Sequence, residues 1–451
     1  MNSNQTVATD VSRRDFIRGG SVAALLTALG PSATRAAEAS DEAKKEDSPK
    51  VKTAVIGLGP WGRDILTALQ RVPEAQVAAI CDTYPAMLRR SLSNAPGVIG
   101  TEDYKTILAN KDIKAVVIAT PSHQHKEIVL AALQAGKHVY CEAPMAHTIE
   151  DAREIARAAR EASAQVFQTG LNNRSDPQRN FLLGFIRTGA IGKLVMARAQ
   201  WHKKQSWRQS SPNPDREREV NWRLSQDVSL GLVGEIGIHQ IDVLNWYLKE
   251  LPKAVTGFGG LIKWTDGRDV PDTVQVVYEY GKGVQGIYHS TIANSFDSDY
   301  DVVYGTDAAV MTRGDKSWLF KEVDSPLLGW EVYARKDVFY KETGIALVAD
   351  ATKSTKAEGA DAAAALTKSP LYYALAAFMA NVTEVGGAVD DFKENFGTTD
   401  KKAIAKHLES IKRQPAAGWE EGLETTVIAV KSKEAIATGK RIEFQKEWFQ
   451  L

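Results

Sequence analysis

Two residues in the middle of the chain have side chains that suit proton transfer. Glu235 and His239 are four residues apart, so on a helix both side chains would project from one face. An imidazole is neutral near pH 7 and can accept a hydroxyl proton, while a carboxylate beside it can orient the ring or hold a substrate. The spacing therefore predicts His239 as the acid/base group and Glu235 as its orienting carboxylate. The alternative is a carboxylate at a helix N-terminus and a histidine in the core.

A glycine-rich turn at Gly57, Gly59 and Gly62 predicts a binding site for a dinucleotide. It follows an apolar run that is typical of a buried strand, and a helix begins directly after it. Such glycines allow a tight turn, close approach of a phosphate and packing of the helix on the strand. A second strand leads to Asp82, whose carboxylate can accept hydrogen bonds from both ribose hydroxyls and would repel a 2′-phosphate. The pattern favours NAD over NADP; the alternative is a glycine turn in an α/β domain without nucleotide.

Strands and helices alternate after this turn, which predicts the domain that positions it. Alternation of this kind is typical of a parallel sheet covered by helices on both faces. The segment at 97–100 is expected to be a loop. The expected strands are 77–80, 115–119, 139–141 and 165–169, and the expected helices are 85–92, 104–109, 126–135 and 149–162.

Composition narrows the function classes. A chain of 451 residues is long enough for two domains that each bury a core. Lys plus Arg and Asp plus Glu both number 56, so the net charge is zero and no basic surface for nucleic acid is implied. The two cysteines, Cys81 and Cys141, end strands that are not expected to be neighbours, and we interpret them as buried apolar residues. No Cys/His cluster has the spacing of a metal site, so no metal is predicted.

The first 39 residues have the features of an export signal. Arg13 and Arg14 precede Phe16 and a weakly apolar stretch that is too short to span a bilayer. This order resembles a twin-arginine signal peptide, so we expect a periplasmic or otherwise exported protein without stable membrane insertion after signal removal. A basic helix of the mature fold is the alternative. Residues 40–50 alternate in charge and are predicted to be a linker.

Export by this route moves folded protein, and this has a consequence for the cofactor. Free dinucleotide is expected to be scarce outside the cytoplasm. The nucleotide must then be loaded first and held through many turnovers. We therefore expect a tightly bound cofactor that the chemistry returns to its starting redox state, unless a second substrate resets it.

Several motifs occur along the chain in a fixed order. They are Gly57-x-Gly59-x-x-Gly62, Thr120-Pro-x-x-x-His125, Gly136-Lys-His-Val, Glu142-x-Pro144, Asn173-Arg174-x-x-Pro177, Gly189-x-Ile191-Gly192, Trp222-Arg223 and Glu235-x-Gly237-x-His239-x-x-Asp242. This series resembles the Gfo/Idh/MocA family of nicotinamide-dependent sugar oxidoreductases. The resemblance covers roughly residues 52 to 310 and is weaker in the tail. It is specific for fold and cofactor but not for the sugar.

The resemblance implies an α/β fold in two parts. Residues 51–170 would form a Rossmann NAD-binding domain, and residues 171–451 a substrate-binding and oligomerisation domain with an open, mainly antiparallel sheet. Residues 206–218 are expected to form a loop over the site, and residues 350–366 an insertion or surface helix. Family members usually pair through the open face of the second sheet, so a homodimer or homotetramer is expected.

The sequence of the second part agrees with such a sheet. Residues 194–202 alternate as a strand, and residues 301–304 form another. The segments 274–280 and 284–290 are predicted to pair through Gly281-Lys-Gly283.

The resemblance also assigns roles to individual residues. His239 would transfer a proton at a sugar hydroxyl, and Glu235 stands where the family usually has aspartate. For His125 an ordinary helix-capping role is the alternative. The implied cofactor contacts are Gly57, Leu58, Gly59, Trp61, Gly62, Asp82, Thr120, Pro121, His125, Glu142, Arg174, Trp222 and Arg223.

The chain departs from the family pattern at Ala143. The family has a lysine there, which is thought to assist proton transfer, and alanine has no donor. Either another group replaces it or the chemistry differs. In one interpretation His239 alone carries out the proton transfer. The other candidates to replace the lysine are His202, Lys203, Lys204 and, less favourably, Tyr140. Trp201 and Trp207 are suited to stacking on the pyranose ring of a substrate.

Three hypotheses follow for the function. The leading one is an NAD(P)-dependent oxidoreductase that acts on CH–OH groups of a small carbohydrate. The second is a glycoside hydrolase that uses NAD for transient oxidation, elimination and re-reduction, as some relatives without the lysine do. The third is a sugar-binding or scaffold protein with a vestigial nucleotide site, suggested only by Ala143.

Overall fold

The computed structural model contains two β-sheets, each with its own helices. The predicted signal at 1–39, nearly all of the predicted linker at 40–50 and the predicted insertion at 350–366 lie outside the described residues. The structure describes residues 50–211, 213–334, 336–339, 342–347, 369–397 and 399–451.

The first sheet has six parallel strands in the order β3-β2-β1-β4-β5-β6. The order reverses between β1 and β4, which is where a sheet of this type leaves a crevice for a nucleotide. The predicted loop at 97–100 is partly wrong, because Ile99 pairs with Ala79 and starts an edge strand. The strands are β1 Val51–Ile56, β2 Ala75–Cys81, β3 Ile99–Thr101, β4 Ala115–Ile118, β5 His138–Cys141 and β6 Phe167–Thr169.

Five helices connect these strands and confirm the predicted alternation. The first follows the glycine turn and packs Ile65, Leu66 and Leu69 onto the sheet, because these residues share one apolar face. The helices are α1 Pro60–Leu69, α2 Pro85–Ser93, α3 Tyr104–Ala109, α4 His125–Gln134 and α5 Ile149–Glu161.

The second sheet is mixed and mostly antiparallel, as predicted. Only β7 and β10 pair in parallel among its described strands. The order is β14-β15-β13-β12-β11-β7-β10-β9-β8-β16. The strands are β7 Leu194–His202, β8 Ala254–Gly260, β9 Thr273–Glu279, β10 Gln285–Thr291, β11 Asp299–Gly305, β12 Ala308–Arg313, β13 Lys316–Lys321, β14 Lys336–Phe339, β15 Glu342–Leu347 and β16 Ile442–Glu443.

Helices cover one face of the second sheet. Ala197 and Ala199 of β7 lie in the same core cluster as Leu183, Leu244 and Ile428, which belong to three of these helices. In chain order, two short helices lie between β7 and the longer helix that begins at Ile238. The helices of this part are α6 Pro177–Arg187, α7 Glu217–Val220, α8 Gly231–Glu235, α9 Ile238–Leu248, α10 Pro370–Phe396, α11 Lys401–Leu408 and α12 Trp419–Thr438.

The C-terminal helices join the two sheets, and the division at residue 170 stays a prediction. Phe378 and Met379 of α10 pack with Val55 of β1, so α10 covers the first sheet although it belongs to the 171–451 segment. Helix α12 contacts both parts, because Val427 lies in a core cluster of the first sheet and Ile428 in that of the second. Within the described residues, no helix is long and apolar enough to cross a bilayer.

The two cysteines are free and buried, as predicted. Cys81 ends β2 and Cys141 ends β5, and β1 and β4 lie between these strands. Burial raises the pKa of the Cys81 thiol to about 12, so this group is neutral and behaves as a small apolar side chain.

Candidate active site

The glycine turn has the shape that a pyrophosphate needs. Gly57 has φ +95°, and a Cβ there would lie 2.6 Å from the carbonyl oxygen of Ala119. A Cβ at Gly62 would lie 2.0 Å from the carbonyl oxygen of Gly57, so α1 packs against the turn only with glycine here. A Cβ at Gly59 would meet no atom within 4 Å, and the N-terminus of α1 has no side-chain cap. Open space and free amides at this point fit a bound phosphate.

Asp82 is held at the end of β2 by backbone amides. Its carboxylate accepts hydrogen bonds from the amides of Leu58 and Tyr84, both at 2.7 Å. Burial raises the pKa of this carboxyl, and those two amides together with the charges of Arg216 and Arg63 oppose the rise. The carboxylate therefore stands where the adenosine ribose lies in this fold.

The end of β4 presents an unusual set of polar atoms. The His125 ring contacts the carbonyl oxygens of Thr120 at 2.9 Å and Pro144 at 3.0 Å. It therefore ties the turn at Thr120 and Pro121 to the residues that follow β5, and the cofactor contact of His125 stays a prediction. Burial lowers the pKa of His125 to about 4, so the ring is neutral. It donates to only one of the two carbonyls at a time.

Two buried oxygen atoms at this edge lack a partner in the part of the chain that the structure describes. They are Oγ1 of Thr120 and Oε1 of Glu142. Burial raises the pKa of Glu142 to about 7, against the effects of the neighbouring Trp61 indole, the Ala143 amide, the Tyr140 hydroxyl and the Arg223 charge. Buried polar atoms without partners are rare in folded proteins. Together with the glycine turn, they fit the amide and ribose groups of a nicotinamide nucleotide.

An open cleft of about 480 Å³ lies beside this edge, between the two sheets. Trp61 from the glycine turn, Trp201 from β7 and His239 from α9 share it, so residues of both domains meet there. Asn172, Asn173, Gln240 and Asp299 also line the cleft. Its far end is formed by α1, with Asp64, Thr67, Ala68 and Arg71, and by the start of α10, with Ser369, Pro370, Leu371 and Tyr372.

His239 has the state that a proton acceptor needs. Burial lowers the pKa of its imidazole to about 4, and no other cause contributes. The ring is therefore neutral at physiological pH. The side-chain amide of Asn173 donates to the backbone carbonyl of His239 at 3.4 Å, which links the turn after β6 to the start of α9.

The prediction that Glu235 and His239 share one helix face is wrong. Glu235 ends α8, and the helix is interrupted at Ile236 and Gly237 before α9 begins at Ile238. A Cβ on Gly237 would lie 2.6 Å from the Tyr288 ring, so this break is packed tightly against β10. The two side chains therefore lie on different helices and do not project from one helix face.

Glu235 instead accepts hydrogen bonds across the domain boundary. Its carboxylate accepts from the Leu230 amide at 3.0 Å, from Ser122 at 3.2 Å and from Ser229 at 3.5 Å. Burial raises the pKa of this carboxyl, and the Arg223 charge is the largest opposing effect. Because Ser122 follows β4, Glu235 fastens α8 to the first domain.

Arg223 lies near both buried carboxyl groups, and we name Glu142, Arg223 and Glu235 the Arg223 cluster. The charge of Arg223 lowers the pKa of each glutamate, while burial raises it. The guanidinium lies 4.9 Å from the Trp222 ring, and Trp222 in turn packs edge-on against His123. Trp222 and Arg223 thus lie beside two of the buried carboxyl groups, and their cofactor contact stays a prediction.

Arg174 is occupied by other protein groups. Its Nε and Nη2 donate to Asp242 at 3.0 Å and 2.8 Å, and its Nη1 donates to Glu421 at 3.4 Å. These bonds tie the turn at 172–175 to α9 and α12. They make Arg174 a support for Asn172 and Asn173 in the cleft, and its cofactor contact stays a prediction.

The predicted substrate residues His202, Lys203 and Trp207 are not in the cleft lining. His202 lies on the opposite face of β7 from Trp201, where its Nε2 contacts Nδ1 of His289 at 2.9 Å. Successive side chains of a strand point to opposite faces, so only one of Trp201 and His202 can reach the cleft. Lys203 is exposed, and Trp207 packs on the core of the second sheet.

Other cleft residues were absent from the sequence prediction. Asn172 follows the carboxyl end of β6, where ligands bind in sheets of this type, and its side chain accepts a 2.6 Å bond from Tyr140. Its position after the strand was a usable signal. Asp299 and Gln240 carried no comparable signal, because strand pairing and helix orientation place them. Among the described residues, no group of three His, Cys, Asp or Glu side chains is arranged to bind a metal ion.

Fold and site together define a class. A doubly wound sheet carries a nucleotide cradle, and a second domain brings a neutral imidazole and an aromatic wall to the same edge. This is the architecture of a Rossmann-type, dinucleotide-binding protein with a separate substrate domain.

Comparison with known proteins narrows this class to one family. Residues 51–170 match the model described as "Oxidoreductase family, NAD-binding Rossmann fold", and residues 183–311 match the "GFO/IDH/MocA C-terminal domain". The chain belongs to the Gfo/Idh/MocA oxidoreductase family.

Similar curated proteins act on sugars, as their names state. Levoglucosan dehydrogenase of Pseudarthrobacter phenanthrenivorans is 28% identical over 234 residues, which are 47% of this chain and 58% of that protein. The 1,5-anhydro-D-fructose reductase of Ensifer adhaerens is 30% identical over 216 residues, 46% of this chain and 59% of that protein. The chain thus spans less than two thirds of the length of these relatives.

Solved structures share the fold over more of the chain. Levoglucosan dehydrogenase in complex with NADH and L-sorbose aligns with a TM-score of 0.65 at 19% identity, covering 88% of this chain and 100% of that one. The aldose-aldose oxidoreductase from Caulobacter crescentus, complexed with glycerol, aligns with a TM-score of 0.60 at 18% identity, over 88% of this chain and 100% of that one.

Proposed function

We propose that this protein is an NAD-dependent oxidoreductase that acts on a hydroxyl group of a sugar or sugar derivative with a tightly bound cofactor. The observation that carries the proposal is the neutral His239 imidazole in a cleft that it shares with Trp61 of the nucleotide turn. The names of the similar curated proteins support a carbohydrate substrate.

The cleft residues suggest how the chain would handle a sugar. Trp61 and Trp201 offer aromatic surfaces on which a pyranose ring can stack, and Asn172, Asn173 and Asp299 offer hydrogen bonds to its hydroxyls. A nicotinamide held by the glycine turn and Asp82 would supply the hydride acceptor for the carbinol carbon. His239 would take the proton from the hydroxyl on that carbon. Because burial disfavours the charged imidazolium, the ring readily returns the proton in the reverse direction.

Asp82 supports NAD rather than NADP as the cofactor. Its carboxylate is fixed by two backbone amides and carries the only negative charge that directly follows β2. A 2′-phosphate at this position would meet that charge. Titration of purified protein with each nucleotide tests the preference, and tighter binding of NADP would overturn it.

The second candidate is an NAD-dependent glycoside hydrolase that works by transient oxidation, elimination and re-reduction. The observation that favours it is Ala143, which packs with the apolar Leu171, Leu230 and Ala429. The family resemblance implies a lysine at position 143, and alanine carries no ammonium group. In this reaction water is added across the glycosidic bond and no net oxidation occurs, so the nucleotide ends in its starting redox state.

One experiment separates these candidates. The nucleotide that co-purifies is identified by mass spectrometry, and the protein is then given free sugars or aryl glycosides while absorbance of reduced nicotinamide is followed. Net reduced cofactor from a free sugar supports the oxidoreductase. Cleavage of a glycoside without net reduction supports the hydrolase. Protein that takes up no nicotinamide nucleotide and turns over no sugar contradicts both.

We also propose export by the twin-arginine route and assembly into a homodimer or homotetramer. Replacement of Arg13 and Arg14 by lysine should retain the protein in the cytoplasm, and fractionation of cells measures this. Light scattering of the purified protein gives its mass in solution. A secreted lysine variant would contradict the first proposal, and a monomer the second.

A further inference from the structure

A second contact between the domains lies at the adenosine end of the nucleotide site. A short segment of the second domain, residues 213–221, reaches across to the turn that follows β2, and we name this segment the strap. It contains a single helical turn and α7. Arg216 makes this contact, and no residue of the strap lines the cleft around His239.

Arg216 holds the two residues that follow Asp82. Its Nη1 donates to the Thr83 carbonyl oxygen at 2.7 Å, and its Nη2 donates to the Thr83 hydroxyl at 2.9 Å. The guanidinium also lies 5.1 Å from the centre of the Tyr84 ring. Hydrogen bonds from a charged donor are stronger than neutral ones, and stacking on an aromatic ring adds to them.

The strap itself is fastened to the second domain. The Asn221 side chain is buried and donates to the backbone carbonyl oxygens of Gln209 at 2.9 Å and of Glu217 at 3.0 Å. The Gln209 amide donates back to Asn221 at 2.7 Å. Arg216 therefore connects this part of the second domain to the turn that follows β2.

The guanidinium still has a donor to offer. Its Nε is buried and has no hydrogen-bond partner within the described ranges. The carboxylate of Asp82, which faces the ribose in this fold, is close enough for the Arg216 charge to act on it. A free donor beside the ribose position is suited to an oxygen of the nucleotide.

We propose that Arg216 is a cofactor-positioning residue and that the strap is a clasp that slows release of the nucleotide from its adenosine end. The inference rests on the proposed function only in requiring a nicotinamide dinucleotide in the Gly57 to Asp82 site. The contact between Arg216 and the turn after β2 would explain how the protein retains its cofactor.

Release of NADH tests the clasp without any sugar. The protein is loaded with NADH, excess NAD is added, and the loss of bound-NADH fluorescence gives the release rate. Arg216→Ala should release NADH about tenfold to a hundredfold faster, because two charge-assisted hydrogen bonds are lost. Arg218→Ala is the matched control, since Arg218 lies two residues away, is largely exposed and pairs only with Asp227 among the described residues.

The Tyr84 ring allows a second pair of variants. The Tyr84 hydroxyl is buried without a partner among the described residues, so Tyr84→Phe should keep the wild-type release rate while Tyr84→Leu accelerates release. Melting temperatures of nucleotide-free protein show whether each variant is folded, and Arg216→Lys provides a folded substitute if the alanine variant is not.

The outcomes separate the clasp from the proposed function. Faster release from Arg216→Ala than from Arg218→Ala supports the clasp. Equal release rates in these two variants and in the wild type would overturn it, while leaving the oxidoreductase proposal in place. A wild-type protein that binds no NADH would overturn both.

Discussion

The cleft around His239 and the Arg223 cluster lie at the same domain boundary but have opposite chemical character. In the cleft, the neutral His239 imidazole lines open space together with Trp61 and Trp201. In the cluster, two buried carboxyl groups share one guanidinium and accept bonds from the surrounding protein. The cleft is open and lined by residues of both domains, which suits a substrate. In the cluster, Oε1 of Glu235 accepts three hydrogen bonds, whereas Oε1 of Glu142 and Nε of Arg223 have no partner among the described residues.

This difference separates residues that react from residues that position. The hydrogen bonds that Glu235 accepts from Leu230, Ser122 and Ser229 all go to its Oε1, so this oxygen holds the side chain in place. Glu142 is intermediate, because one of its oxygens has no partner among the described residues. Under the proposed function, His239 and Glu235 would thus serve different purposes although they stand four residues apart.

The largest effect is expected from His239→Asn. Loss of a general acid/base group lowers kcat/KM by about a hundredfold to ten-thousandfold. Nucleotide binding should remain within about twofold, because the ring reaches the sugar side of the cleft. Steady-state kinetics with the identified sugar measure the first quantity, and NADH titration the second. Gln240→Ala, at the adjacent cleft position, is the control, and equal losses in both variants would remove the special role of His239.

A smaller effect is expected from Glu142→Gln, and it concerns the pH dependence of stability instead of turnover. Its folded pKa of about 7 lies above the ordinary value of 4.5, so between these pH values the folded state binds a proton that the unfolded state has lost. Stability therefore falls as pH rises through this window, by about 2–3 kcal/mol for this group. Glu142→Gln should show a flatter dependence of the unfolding free energy on pH.

Urea unfolding from pH 4.5 to 7.5 measures this prediction. Glu279→Gln is the control, since Glu279 is bound by Arg441 at the surface and its pKa is lowered rather than raised. A wild-type slope in the Glu142 variant would show that its carboxyl titrates normally.

Glu235→Ala should lower the free energy of unfolding by about 1–3 kcal/mol, because the Leu230 amide and Ser122 lose a buried acceptor. Glu235→Gln keeps an acceptor oxygen and should lose less. Denaturant unfolding measures both. If Glu235→Ala is as stable as the wild type but loses turnover as completely as His239→Asn, then Glu235 belongs to the reacting groups after all.

The smallest effect is expected from His202→Ala. Its ring lies on the face of β7 away from the cleft, so kcat/KM should change by less than about twofold. Trp201→Ala, one residue earlier, removes a cleft wall and should raise KM for the sugar. Kinetics of this neighbouring pair test the assignment of faces directly, and a reversed pattern would refute it.

The nucleotide half of the site could be predicted almost entirely from sequence. Gly57 has a positive φ, and at Gly62 a Cβ would lie 2.0 Å from the Gly57 carbonyl oxygen, so both positions require glycine. Asp82 follows at the distance set by one β–α–β unit. These are local constraints, and local constraints are visible in a single sequence.

The sugar half could be predicted only in part. Alternation along β7 was visible and would have placed His202 and Trp201 on opposite faces. The helix break at Gly237 depends on packing against Tyr288, and the Arg216 to Thr83 contact joins residues 133 positions apart. Such contacts arise from the tertiary fold, so spacing in the sequence does not reveal them.

The account is tested most directly by a crystal structure of the protein with bound NAD and its sugar. It predicts a nitrogen of His239 within about 2.6–3.2 Å of the hydroxyl on the carbon that faces the nicotinamide. It also predicts that Glu235 remains bonded to Leu230 and Ser122. A sugar hydroxyl placed against Glu235, with His239 out of reach, would contradict it.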